Sequence, residues 1–279
     1  MWIDWDVAAV ISALLALGVF SARRSPRRWV QGVRTFSREL SLVLLLYSIW
    51  QLAHVWTRTN VVGATDNART IVDIQDWMHL PSEASLQDLF LPHPLWVQAM
   101  NIYYATVHVP ALGAFLIWLF YRHRDHYAPV RNTLALLTGS CLMIQMIPVA
   151  PPRMLPGFVD TGLLYEQSVY GRGGSGIANQ LSAMPSVHVA WAAVVTAGVI
   201  WIGRSRWRWL VLLHLVLTML SITVTANHWW LDGIVAVVLL GLAALIVRGV
   251  TALMQRLRRS AHEGPAPLPA RELELTHSS

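Results

Sequence analysis

Lysine is absent from the 279 residues, so all 21 basic side chains are arginine. Cysteine occurs once, as Cys141, which excludes an internal disulfide and a cysteine zinc cluster. Charge is scarce as well: charged residues make up 13% of the chain, against about 25% in a soluble domain. Hydrophobic residues make up 55% and the mean hydropathy is +0.46, which argues against a cytosolic globular protein and excludes disorder. What remains is a membrane protein.

Seven apolar stretches approach the roughly 20 residues a helix needs to cross the hydrocarbon of a bilayer: 7–22, 40–56, 95–121, 134–150, 185–203, 210–226 and 229–247. The first is a poor signal peptide, because its leading residues include Asp4 and Asp6 where a positive charge belongs. Arginine placement orients the spans. Six Arg (23, 24, 27, 28, 34, 38) follow the first span, three (122, 124, 131) the third, three (204, 206, 208) the fifth and five (248, 256, 258, 259, 271) the seventh. The opposite side holds only Arg58, Arg69, Arg153 and Arg172. By the positive-inside rule the N-terminus is outside and the C-terminus cytoplasmic. The pI near 10.1 thus reflects topology, and nucleic acid is not expected as a partner.

Between the second and third spans, Ile71, Ile74, Trp77 and Met78 recur at helical spacing with Asp73 and Asp76 between them. The pattern predicts a short amphipathic helix, either lying on the outer membrane surface or packed as a cap on the bundle. The second outward loop, 151–184, is rich in Pro and Gly. From Ser260 onward the chain is polar and contains Pro, the composition of a disordered tail.

Ionisable groups at membrane helix ends need a partner or a task. Two segments carry them: Ser182 to His188, opening the fifth span, and Asn227 to Asp232, opening the seventh. Pro185 suits a first helical turn, which puts His188 at the outer end of its helix. The chain then runs inward, turns at 204–208 and returns by Ala226, so His228 arrives at the same face although 40 residues separate the two. His228 and Asp232 are four apart and share a helix face. A carboxylate holding one imidazole nitrogen leaves the other as a nucleophile or base, and a second His can act as general acid. Two helix N-termini favour an anion such as phosphate, and Arg153 or Arg172 could clamp its oxygens. The expectation is an outward-facing phosphoryl-transfer site, without metal, at headgroup depth.

Other readings compete. An interfacial His can be purely structural, and Trp229 and Trp230 could form an aromatic belt. A zinc site from His188, His228 and Asp232 is conceivable, although an anion site also accounts for the Arg and the helix ends. His54, His108, Asn101 and Gln145 are further polar groups within spans. His108 lies 13 residues beyond Leu95, ~20 Å along a helix, which assigns it a structural or cavity-lining role below the headgroups. The run Gly171-Arg172-Gly173-Gly174-Ser175-Gly176 matches a dinucleotide pattern, but no strand precedes it and no βαβ unit surrounds it. A flexible loop is the better reading.

These residues resemble the type-2 phosphatidic acid phosphatase superfamily, and more narrowly the branch containing fungal inositol phosphorylceramide synthase and its bacterial relatives. The resemblance covers about residues 66–235. It runs through Asn101 to His108 and Val149 to Arg153, and is most specific at Met184-Pro185-Ser186-Val187-His188 and Ala226 to Asp232, which match the family's Pro-Ser-x-His and His-x-x-x-Asp motifs in order. It implies an all-α polytopic membrane protein: a six-helix bundle from spans two to seven, plus one extra N-terminal helix. The domains would be 1–39, an N-terminal transmembrane helix and basic cytoplasmic loop; 40–250, the catalytic membrane domain with an outward amphipathic segment at 66–92; and 251–279, a cytoplasmic tail. The resemblance also implies roles: His228 attacks phosphorus and carries a phosphohistidine, Asp232 orients it, His188 protonates the leaving group, Ser186, Arg153 and Arg172 contact phosphate, and neither metal nor cofactor is required. Two departures are plain. Ser221 and Ile222 stand where the phosphatases have Ser-Arg, and the family's first-motif Lys is missing. Both fit the phosphotransferase branch better.

The expected function is therefore cleavage of a lipid phosphoester or phosphodiester at the outer face of the cell membrane. The phospho group would pass to an alcohol such as inositol or, in the alternative, to water, as in a lipid phosphate or polyprenyl diphosphate phosphatase. A non-enzymatic lipid carrier or scaffold is the rival from another class. A transporter is disfavoured because no repeated halves with interrupted helices are visible. The lipid, the acceptor and the oligomeric state are not legible.

Overall fold

The computed structural model describes residues 4–24, 27–57, 62–169 and 180–262. Arg172, with its Gly-rich run, and the tail beyond 262 lie outside the described residues. Eleven α-helices occur among them: α1 (Trp5–Ser21), α2 (Arg28–Thr57), α3 (Ala64–Trp77), α4 (Glu83–Phe90), α5 (Pro94–Thr106), α6 (His108–Arg122), α7 (Arg124–Ile144), the single turn α8 (Thr161–Leu164), α9 (Val187–Ile202), α10 (Leu212–Val224) and α11 (Trp230–His262). The described residues contain no strand beyond one isolated parallel bridge, Val149 with Ser182. The all-helical membrane fold is as the sequence implies.

By length and apolar content, Trp5–Arg24, Arg206–Val224 and Trp230–Ser260 qualify outright as spans, and the bent pair α5–α6 passes the same test only when its two helices are taken together. The helices over the remaining stretches are shorter or more polar. In α2 and α7 the apolar stretch fills only the C-terminal part, behind Arg34, Arg38 and Glu39 in one and Arg124, Asp125 and Arg131 in the other. The third stretch is two helices meeting at 47°. Pro110 explains the bend: it has no N–H for the carbonyl of Thr106, and its ring disfavours helical backbone at the preceding residue. The fourth helix stops at Ile144, short of the expected 150, and Gln145 to Ala150 run on toward the bridge; Pro148 cannot continue a helix there.

Helix α1 packs along α2, held by Ser12 Oγ donating to the Ser41 carbonyl (2.8 Å), Ser41 Oγ donating to the Ser12 carbonyl (2.9 Å) and Ser48 Oγ donating to the Trp5 carbonyl (2.6 Å). Val7, Val10, Leu14, Leu17 and Phe20 are left exposed, as expected of a lipid-facing helix joined to its neighbour by small polar residues. Glu39 of α2, buried, pairs with Arg131 of α7 and ties this hairpin to the bundle.

The main core joins α6, α7, α9, α10 and α11 through Phe115, Leu119, Leu137, Val189, Val194, Ile222 and Ala236. A close approach fixes its middle. A Cβ on Gly198 of α9 would fall 2.2 Å from Cζ of Phe115 on α6. A second, smaller cluster covers one end of the bundle: Ala64, Ala68 and Ile71 of α3 pack with Val149, Ala150, Leu181, Ala183, Trp229 and Leu231. Helix α3 thus buries Ile71 against the bundle, while Ile74, Trp77 and Met78 turn outward.

Gly198→Ala forces the Phe115 ring or the helices apart. The expected cost is about 1–3 kcal/mol, read as a lowered midpoint of thermal unfolding in detergent, with Phe115→Leu restoring part of the loss in the double variant.

Candidate active site

The site is assembled by the turn between α10 and α11. Helix α10 ends where Thr225 Oγ1 donates back to the Ser221 carbonyl (2.7 Å), and the chain reverses through Ala226, whose φ of 51° lies in the left-handed region. A non-glycine residue there costs about 1 kcal/mol or more, and buried surroundings hold it: the amide of Arg153 donates to the Ala226 carbonyl at 2.9 Å. The amides of Asn227 and His228 both point back to the Ile222 carbonyl, at 3.0 and 3.3 Å. The turn therefore delivers His228 at a fixed point, two residues before the start of α11.

His228 Nδ1 lies 2.7 Å from the Ala183 carbonyl and 3.3 Å from Asp232 Oδ2. A carbonyl only accepts, so Nδ1 carries the hydrogen and Nε2 of the neutral ring carries the lone pair. Asp232 is fully buried. Its Oδ2 also accepts the amide of Trp229 at 2.8 Å, while Oδ1 has no partner among the described residues. The carboxylate thus shares the orientation of the ring with a backbone carbonyl from the loop before α9, a contribution that motif spacing does not reveal.

The N-terminus of α9 meets the same point. The amide of Ser186 donates to the backbone carbonyl of Asp232 (3.2 Å), and Ser186 Oγ caps α9 by accepting from the amide of Val189 (3.4 Å). Gln145 Nε2 donates to the Pro185 carbonyl at 2.9 Å, pinning the segment from the other side. In the first turn of α9, the His188 ring centroid lies 5.8 Å from that of His228 and 4.3 Å from that of Tyr104. The two motif histidines are therefore neighbours, at one end of the bundle.

Arg153 is buried beside them. Nη1 donates to Asn227 Oδ1 (2.6 Å), Nη2 to Gln180 Oε1 (3.3 Å), and Nε pairs with Asp160 Oδ2 (3.4 Å). The guanidinium is anchored to the residue immediately before His228. It also lines a narrow polar pocket with Asn101, Tyr104, Asp160 and Asn227. His188, His228, Asp232, Ser186 and Arg153 come together; Arg172 lies outside the described residues.

Three observations differ from the sequence expectation. First, His108 is not remote. Its ring is 4.8 Å from that of His188; the count of 13 residues from Leu95 measures depth along the span and not distance from α9. Second, the first amides of α11 are not open to an anion. Trp230 N–H donates to Glu83 Oε1 (3.0 Å) and Leu231 N–H to Gln75 Oε1 (2.9 Å), so buried side chains of α4 and α3 cap that helix. Third, Gln75 and Glu83 were therefore missed as supports of the site. Their partners are 156 and 147 residues away, and no local pattern announces such a contact. No group of three or more His, Cys, Asp or Glu among the described residues is arranged to hold a metal ion.

The family model described as the PAP2 superfamily matches residues 69–246, a span that contains Arg153, Ser186, His188, His228 and Asp232. No curated protein and no solved structure matches the chain. With well over half of the sequence matched and its two motif histidines brought side by side in an all-helical bundle, the chain belongs to the PAP2 superfamily.

Proposed function

We propose that the protein is a lipid phosphotransferase or phosphatase working through a phosphohistidine on His228. Membership of a superfamily of phosphatases and phosphotransferases supports an enzyme of this class. The observation that carries the mechanism is the hydrogen bond from His228 Nδ1 to the Ala183 carbonyl, backed by Asp232, which leaves Nε2 with its lone pair next to His188. In the first step Nε2 attacks phosphorus as the ester P–O bond breaks, and His188 gives its proton to the departing oxygen. In the second step an acceptor hydroxyl loses its proton to His188 as its oxygen displaces the histidine from phosphorus. Arg153 balances the phosphate charge; to do so it exchanges part of its bonding to Gln180 and Asp160 for the phosphate oxygens. Ser186, whose oxygen caps α9, keeps its hydroxyl hydrogen for the same anion, and Arg172 is proposed as a further cation from the loop.

Transfer to an alcohol, inositol being the acceptor handled by the branch the sequence resembles, is preferred over hydrolysis, because the missing Lys and the Ile222 substitution fit that branch. The active site is proposed to face the outside, with the N-terminus out and the C-terminus cytoplasmic. Arginine placement supports this: it concentrates on the connections remote from His188 and His228.

Purified protein supplied with a lipid phosphate donor should release or transfer phosphate. His228→Ala should lower turnover about 10³-fold or more and abolish a trapped phosphohistidine, while Asp232→Asn should cost about 10²-fold, because the Ala183 carbonyl still fixes the tautomer. Retained turnover in His228→Ala overturns the mechanism. Free phosphate measured with and without inositol separates the two reactions: release indifferent to every alcohol rules out transfer. For topology, Cys141→Ser supplies a background free of cysteine. In it, Trp77→Cys should react with an impermeant thiol reagent on intact cells, and Trp207→Cys should react only after permeabilisation. Both parent residues are exposed.

A further inference from the structure

His108 is 3% exposed and sits in the first turn of α6, immediately after the bend that Pro110 imposes. Its ring contacts the rings of His188 (4.8 Å, 79° between planes), Tyr103 (5.4 Å) and His214 (5.8 Å). Two buried nitrogens in this cluster lack a hydrogen-bond partner, and both are Nδ1 atoms: that of His108 and that of His188. Adjacent imidazoles with complementary vacancies are a costly arrangement in a membrane interior unless one of them has a task.

The hydrogen bonds around His108 decide which atom of its ring donates. Nε2 lies 3.2 Å from Thr218 Oγ1. Thr218 spends its only hydrogen on the His214 carbonyl, at 2.6 Å, the back-bond typical of Thr in helices. Its oxygen can therefore only accept from His108, so Nε2 carries the hydrogen and Nδ1 carries the lone pair. The carbonyl of Tyr104, one turn back, also acts on this ring as an acceptor and competes for a ring hydrogen, while Nδ1 has no partner that meets hydrogen-bond geometry among the described residues. Tyr103, bonded through its hydroxyl to His214 Nδ1 at 2.6 Å, closes the far side of the cluster.

We propose that His108 is the positioning residue of His188: its Nδ1 lone pair receives the hydrogen of His188 Nδ1, directly after a small ring rotation or through one water. This rests on the reading of His188 as general acid. Protonated His188 has hydrogens on both nitrogens, and only the Nε2 hydrogen goes to the leaving oxygen. The Nδ1 hydrogen needs an acceptor throughout, and His108 supplies it. His108 itself neither gains nor loses a proton in either half of the reaction. It does for His188 what Ala183 and Asp232 do for His228, with the Thr218 hydroxyl fixing its tautomer.

The test compares two probes on the purified full-length protein: a long-chain alkyl phosphate, whose alcohol must be protonated to leave, and a nitrophenyl phosphate bearing a similar chain, whose phenolate leaves without a proton. His108→Gln keeps a donor for Thr218 and loses the acceptor at Nδ1. It should lower the single-turnover rate of phosphohistidine formation from the alkyl phosphate about 10- to 100-fold and leave that rate almost unaffected for the nitrophenyl probe; formation is followed because the later step, in which His188 takes the acceptor's proton, is common to both. His108→Asn, which puts an amide oxygen near the Nδ1 position, should recover much of the loss. His188→Ala should show the same dependence on leaving group, more deeply. Equal losses on both probes in His108→Gln, or none, overturn the proposal. A His188→Ala variant indifferent to the leaving group instead overturns the role of His188, and absence of turnover of either probe by the unaltered protein overturns the catalytic reading as a whole. If His108→Gln fails to fold, Thr218→Val leaves the His108 ring in place and frees its tautomer; an unchanged ratio between the probes then overturns the proposal.

Discussion

One hydrogen bond organises the site: the imidazole of His228 donating from Nδ1 to the carbonyl of Ala183. The donor belongs to the turn that opens α11 and the acceptor to the loop that opens α9, so the bond fastens together the two helix ends that carry the motifs. Buried as it is, such a bond has little water to compete with, and an unpaired donor in its place costs about 1–3 kcal/mol. The same bond fixes the tautomer, which decides where the lone pair lies. Structure and reactivity are therefore set by one contact, and the second bond between these segments, from the Ser186 amide to the Asp232 carbonyl, keeps it from being the sole tie.

The remaining segments brace this junction. Helix α3 supplies Gln75 and helix α4 supplies Glu83 to the first amides of α11, and Ala150 accepts from the Trp229 indole at 3.1 Å. Gln87 of α4 bonds the carbonyls of Val159 and Val224 at once, at 3.0 and 2.9 Å, joining the loop after α7 to the end of α10. A helix end buried at such a place needs partners for its amides, and this chain draws them from elements far away in sequence. Helices α3 and α4 are consequently part of the scaffold of the site. The exposed Trp77 and the Met78 that follows it form an apolar edge, so α3 packs one face on the bundle and leaves the other uncovered.

How much of this was legible in the sequence depends on how local the physics is. The His228–Asp232 spacing and the convergence of His188 with His228 follow from periodicity and from a chain that must cross and return, and both survive in the structure; of the seven apolar stretches, three qualify as spans outright and the bent α5–α6 pair passes only when taken together. Arg153 was legible as the one cation beside a Pro-Pro turn, though nothing local indicated that Asn227, Gln180 and Asp160 would hold it. His108 keeps the cavity-lining place expected of it, but depth counted from Leu95 did not show how close α6 packs to α9, where Phe115 meets Gly198. Pro110 was visible; the direction of the bend depends on packing against α9 and α10, which sequence spacing does not contain. Glu83 and Gln75 were illegible for the same reason: their partners lie across the fold.

Among the described residues, the buried polar atoms left without partners are unevenly distributed. Apart from Gln145 Oε1 and the Trp230 indole, they are Asp232 Oδ1, His188 Nδ1 and His108 Nδ1, which together outline the two motif histidines and their neighbour. A bundle optimised only for stability would have filled these positions with apolar side chains or paired them, since an unsatisfied buried group costs about 1–3 kcal/mol. The fold elsewhere does pair its polar groups, as the Ser12–Ser41 and Gln87 bonds demonstrate. Unspent hydrogen-bonding capacity concentrated around two adjacent imidazoles is what a site requires if its groups must exchange partners during a reaction cycle: a pair fully satisfied at rest would have to break a bond before it could hold a transferring proton or a phosphoryl oxygen.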